Sequence, residues 1–229
     1  MRTIHIIILC FFITACSPLE TLPAPPTPQV ITIQITPTLR SLKDLIQDCA
    51  RTHPDIAVIL EERSATTPEY GADTITIMLD SPQERIPEFA FPMGNEQIVF
   101  IAGSNFPHAN LTAERLHQLY TSEASDYQVW GYPPGNELSQ IFEQTILSNS
   151  EAGPHVQIAP EPGAMLSAIE DDPDAIGYIP KSWVKDSELI LPMTSELEEI
   201  LLRPILAMSQ LSPEGALRTL LICLQQTER

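Results

Sequence analysis

Glu161-Pro162-Gly163-Ala164-Met165, followed by Asp172-Pro173-Asp174-Ala175-Ile176-Gly177-Tyr178, is the stretch of this chain that decides its fold. Ala164 to Ile169 reads as a helix and Ala175 to Ile179 as a strand. Working outward, His155 to Ala159 reads as a strand, Leu111 to Tyr120 as an amphipathic helix with Thr112 as N-cap, and Glu137 to Leu147 as a second helix with Leu138, Ile141, Phe142 and Ile146 on one face. Towards the N-terminus, Val30 to Thr36 alternates β-branched and polar residues, and Leu39, Leu42, Leu45 and Ile46 then recur at helical spacing. His53-Pro54 ends that helix. Ile56 to Leu60 is a fully apolar strand of the kind a covered parallel sheet needs, and further strands are expected at Thr74 to Leu79 and Gln97 to Ala102. Towards the C-terminus, Pro204 to Ser209 precedes a last helix opened by Ser212-Pro213-Glu214 and running to about Gln226.

The first residues are an address. Met1 to Cys16 has one cation at Arg2, an apolar run from Ile6 to Phe12 and then small residues, the layout of a secretory signal peptide. Ile13-Thr14-Ala15-Cys16 resembles a bacterial lipobox, in which the cysteine is lipidated and becomes the new N-terminus; Cys16 is therefore the expected lipidation site. Ser17 to Gln29 carries five prolines and no periodic apolar face, so it reads as an extended tether reaching roughly 40 Å at about 3.1 Å per residue. The expected organisation is a signal peptide at 1–15, a lipidated cysteine and tether at 16–29, and a folded part from Val30. It places the protein on the extracytoplasmic face of a membrane, held by its lipid.

The chain has 229 residues, 12 Lys plus Arg against 30 Asp plus Glu, and 43% hydrophobic residues. That is enough for a large core or two small lobes. The acidity argues against nucleic acid, whose phosphates need clustered cations. Losing 1–15 removes Arg2 and leaves 11 basic against 30 acidic side chains, a charge of −19. No stretch of about 20 apolar residues occurs, so several membrane spans are excluded.

Taken in order, several segments resemble the substrate-binding proteins of bacterial ABC importers, in particular the phosphate-binding branch. Asn105-Phe106-Pro107, the helix Leu111 to Tyr120 and Val129-Trp130-Gly131 are similar to that family's run from an Asn-Pro turn through a Leu-Thr-led helix to a Trp. The opening stretch resembles its PGAM and AIGY segments, and Arg203-Pro204-Ile205 fits the return of the chain to the first lobe. The resemblance implies an α/β, two-lobed fold of the type II periplasmic-binding class with a ligand cleft between the lobes. Residues 30–102 with 188–229 would form lobe 1 and residues 103–187 lobe 2. It further implies a non-catalytic monomer, without cofactor, that captures a small ligand or oxyanion for an ABC permease. A binding-fold lipoprotein without tight ligand binding, serving as sensor or assembly partner, is the second reading.

Backbone N–H groups at helix starts, aided by hydroxyls, can hold an oxyanion without mobile cations. Thr36 and Thr38 stand where the family has a Gly-Ser/Thr loop, with plain N-capping as the competing role. Ser64 lies in a hydroxyl-bearing loop after the second strand. Asp73, in Gly71-Ala72-Asp73, matches a family carboxylate that accepts a proton from phosphate, or is a surface turn residue. In lobe 2 the family's Arg is absent, and Asn136, Glu137 and Leu138 stand in place of Ser, Gly and Thr. Asn136 is retained as a candidate ligand residue. Glu137 would repel phosphate if desolvated, or would cap its helix facing outward.

No nucleophile elbow, phosphate-binding loop, zinc-protease motif or dinucleotide fingerprint occurs. The histidines show no metal-ligand spacing, so no metal is expected. Glu170-Asp171-Asp172-Pro173-Asp174 lacks a calcium-loop pattern and reads as a solvated helix end. Trp130 and Trp183 are expected to pack. Cys49 and Cys223 both fall on helices of the first lobe, so a disulfide is possible, but their apolar neighbours favour buried free thiols.

Overall fold

The computed structural model describes residues 27–63, 71–79, 89–185 and 189–227. Cys16, the signal and most of the tether, and Ser64 lie outside the described residues. Among the described residues, eight strands form one sheet in the order β2-β1-β3-β8-β4-β7-β5-β6. They are β1 (Gln29–Ile35), β2 (Ile56–Glu62), β3 (Thr74–Leu79), β4 (Phe89–Ala102), β5 (Gln128–Gly131), β6 (Gln157–Ile158), β7 (Ala175–Pro180) and β8 (Leu202–Ser209). The helices are α1 (Lys43–Thr52), α2 (Ala113–Thr121), α3 (Glu137–Thr145), α4 (Pro162–Asp171), α5 (Ser195–Ile200) and α6 (Gly215–Thr227).

Strand β4 joins the two halves of the sheet. Its first part, Phe89 to Gln97, runs antiparallel to β8, and its second part, Ile98 to Ala102, runs antiparallel to β7. On one side lie the parallel strands β2, β1 and β3; on the other, β5 runs parallel to both β6 and β7. Parallel pairs require crossovers, and α1 between β1 and β2, α3 between β5 and β6, and α4 between β6 and β7 supply them. The strand in β4 begins earlier than its sequence suggests because Pro92 and Gly94 break the apolar pattern. The register shifts between them and Gly94 takes φ 136°, so the strand absorbs both in a bulge.

In the first half, Ile31, Ile33, Ile35, Ile75 and Ile77 are fully buried together with Leu39 and Ile46. Each such side chain contributes about 1.5–3 kcal/mol relative to exposure. α1 packs on α6, where Cys49 and Cys223 form a disulfide with Cα atoms 5.9 Å apart. The bridge ties residues 174 positions apart. β2 departs from expectation: it is the edge of the described sheet, and Ile59 is 49% exposed. A strand paired on one side only needs no covering on both faces.

The second half explains the opening motif. A Cβ on Gly177 would stand 2.3 Å from Met165 Sδ, so β7 needs glycine there for α4 to lie against it. Tyr178 stacks on Phe142 at 4.4 Å and meets Tyr132 edge-on at 5.2 Å. Tyr120, also in this cluster, donates its hydroxyl to the Trp130 carbonyl at 2.9 Å. The motif residues are thus core contacts. The acidic helix end is likewise structural: Asp172 accepts from the Asp174 amide at 2.9 Å, and Asp174 accepts from Asn105 Nδ2 at 3.0 Å.

Candidate functional site

The chain leaves β1 at Ile35 and enters a 3-10 turn over Pro37–Leu42 before α1 begins. Thr36 occupies the N-cap position of that turn but makes no side-chain cap bond. Both Thr36 and Thr38 are buried. Their hydroxyls instead face a carboxylate that arrives from the other half of the molecule.

That carboxylate belongs to Glu137, the first residue of α3. Tyr132-Pro133-Pro134-Gly135-Asn136 delivers it: the Asn136 amide donates to the Pro133 carbonyl at 3.1 Å, closing a turn with Gly135 at φ 84°. Only glycine takes that position readily, and proline ahead of it pre-sets the turn. Asn136 then caps α3, its Oδ1 accepting from the Leu138 amide at 2.9 Å. The cap commits Oδ1 to its own helix, and Asn136 also stands in the wall of the cavity beside Glu137.

Glu137 is 4% exposed. Thr36 Oγ1 donates to its Oε1 and the Leu79 amide at the end of β3 donates to its Oε2 at 3.0 Å, while the nearby Thr38 hydroxyl favours its charged form. Burial pushes the carboxyl above its ordinary range, and the Thr36, Thr38 and Leu79 donors oppose that push without cancelling it. The outward-facing cap anticipated for Glu137 is corrected: the side chain turns inward onto the Thr36 hydroxyl and the Leu79 amide.

Asp73 is corrected too. It is exposed, it accepts from Gln29 Nε2 at 3.1 Å, and it precedes β3, whereas the cradle lies past the other end of that strand. Six residues of strand separate Asp73 from Leu79, about 20 Å at roughly 3.3 Å per residue. In sheets of this kind a cleft forms at the carboxyl ends of parallel strands, and Asp73 is at the amino end.

A second set of polar contacts crosses between the halves beside the cradle. Arg40 bonds Glu62 at 2.8 Å and Glu161 at 2.7 Å, and its guanidinium lies 5.4 Å from the Trp183 ring centroid. Trp183 Nε1 donates to the Thr38 carbonyl at 2.8 Å, and Ser41 bonds Ser182 at 3.2 Å. The Arg40 hydrogen bond, with help from Lys43, holds the Glu62 carboxyl down at about 2 against the opposing effect of burial. Trp183, expected only to pack, stands at this junction; nothing in its neighbours along the chain marks it.

Next to Glu137 remains a cavity of about 270 Å³, walled by Thr36, Arg63, Pro133, Asn136 and Pro160. A larger one of about 500 Å³ lies on the far side of Arg40 and Trp183, with Leu166, Val184 and Leu189 in its wall. Thr38 and Glu137 also line the smaller space. Among the described residues no group of three or more His, Cys, Asp and Glu is arranged to hold a metal ion. Nor, among them, is any helix long and apolar enough to cross a membrane.

No family model and no curated protein matches the chain. Solved structures do. A phosphate ABC transporter substrate-binding protein from Clostridium perfringens, with phosphate bound, is similar at a TM-score of 0.65 and 16% identity, over 86% of this chain and 93% of that one. An ABC-type phosphate transport receptor from Vibrio cholerae is similar at 0.65 and 16%, over 86% and 94%. The reduced form of OxyR from N. meningitidis is similar at 0.61 and 17%, over 87% and 95%. The architecture is thus the two-lobed, type II periplasmic-binding-protein-like fold, shared by transport receptors and regulatory domains.

Proposed function

We propose that the chain is a lipid-anchored extracytoplasmic binding-fold protein that does not scavenge free oxyanions and serves as a sensor or assembly partner. One observation carries this reading: the donors that would hold an oxyanion already hold Glu137. A free phosphate would have to displace a buried carboxylate or share the space with it, and two like charges a few Å apart in a desolvated site repel by several kcal/mol. Anchoring through Cys16 and the division into 30–102 with 188–229 and 103–187 belong to the same proposal. The change of partner within β4 from β8 to β7 supports the division.

The importer reading is supported by the receptors from Clostridium perfringens and Vibrio cholerae, and a thermal-shift screen separates the two. The purified protein is heated with phosphate, sulfate, molybdate, tungstate and small metabolites. A ligand at a hundredfold excess over its Kd adds about 2.7 kcal/mol, well within detection. No shift with any of the four oxyanions is expected. A saturable shift with phosphate would return the protein to the importer class.

A further inference from the structure

Glu137 does more than obstruct the cleft. Its two oxygens are met by two neutral donors from the opposite lobe, the Thr36 hydroxyl and the Leu79 amide, with the Thr38 hydroxyl beside them. These come from three points of lobe 1 that its own fold holds in place, namely the end of β1, the turn before α1 and the end of β3. Thr36 is released for this task because it makes no cap bond to its own turn. All three are buried, and the two groups that donate to the oxygens are neutral.

We propose that Thr36, Thr38 and the Leu79 amide form a carboxylate-binding site whose resident ligand is the protein's own Glu137, and which takes a free small monocarboxylate once that side chain is removed. The inference rests on the reading of a self-filled cleft. A planar group with two oxygens and one negative charge suits these neutral donors. A doubly charged tetrahedral anion brings more charge than they can offset. The tether explains why free carboxylates do not compete in the native protein. A side chain fixed at the start of α3 is present at a high effective concentration and needs no ordering on arrival.

Truncation to alanine removes four heavy atoms, a methylene and a carboxylate, which is the size of acetate. The test titrates sodium acetate into the full-length Glu137→Ala protein at neutral pH and follows the melting temperature, with sodium chloride at matched ionic strength. The expected result is a saturable rise of roughly 3–6 °C at tenfold excess over Kd. No rise is expected in the native protein or in Glu137→Gln, whose amide keeps the space filled. Adding Thr36→Val and Thr38→Val to Glu137→Ala should abolish the rise.

A folded Glu137→Ala protein that ignores acetate overturns the proposal, and so does one that responds to phosphate as strongly as to acetate. Should Glu137→Ala fold poorly, refolding from urea is compared in acetate and in chloride. Recovery that increases with acetate supports the site, and equal recovery overturns it. These outcomes concern the cradle alone, whereas a phosphate shift in the native protein would overturn the self-filled reading itself.

Discussion

Replacing Thr36 by Val keeps the side chain's shape and removes the hydroxyl that donates to Glu137. Because Thr36 makes no cap bond, the substitution costs the turn nothing on that account. A hydrogen bond to a charged group contributes about 1.5–3 kcal/mol, and a buried carboxylate left short of a donor sits at the upper part of that range. Glu137 is 4% exposed, so bulk water replaces the lost donor poorly. In a Glu137→Met background the same Thr36→Val change removes a hydroxyl that has no carboxylate to serve, and its cost should fall to within about 0.5 kcal/mol of zero. The four proteins are unfolded in urea and followed by the fluorescence of Trp130 and Trp183. A coupling of about 1.5 kcal/mol or more is expected. Equal costs of Thr36→Val in both backgrounds would refute the claim that the hydroxyl's partner is Glu137.

The disulfide should matter for stability: closing 174 residues contributes about 5 kcal/mol in the chain-entropy relation, so reduction should lower Tm by roughly 10–20 °C, and a thiol count on unreduced, unfolded protein should find Cys49 and Cys223 blocked. Glu62, held at about 2, binds its proton more readily in the unfolded chain. Its contribution is therefore full above the ordinary carboxylate range of about 4.3 and is lost as pH falls through about 2; Glu62→Gln should flatten that acid limb in a pH series of melts. Cys16→Ala should abolish lipid labelling and membrane partition, and a variant that still does both would remove the anchor from the account.

Much of the fold was legible because periodicity and turn chemistry are local. β3 runs over Thr74–Leu79 as its alternation requires, and Thr112 caps α2 by accepting from the Arg115 amide at 3.1 Å. α5 went unread because its six residues carry less than two turns of pattern. The exposure of Ile59 depends on strand order, which a single apolar run does not encode.

At the site, Thr36 and Thr38 were legible as hydroxyls at a helix start. The direction of Glu137 was not, since it depends on two lobes meeting across 101 positions of sequence. One signal was available: Pro133-Pro134-Gly135 prescribes a tight turn directly ahead of α3 and so aims its first residue. Asp73 failed for the opposite reason, because a three-residue match said nothing about which end of the strand it occupies. The cysteine pair stayed open because helix packing, and not local sequence, sets the 5.9 Å between their Cα atoms.

The central claim is that the Glu137 carboxylate sits inside the cradle, and an NMR pH titration reads this from both sides. The side-chain carboxyl carbon of Glu137, assigned by its loss in Glu137→Gln, should titrate above the ordinary glutamate range, and the Leu79 amide proton should move with the same midpoint. A Glu137 that titrates near 4.3 like an exposed glutamate, with a Leu79 amide that does not respond, would contradict the account.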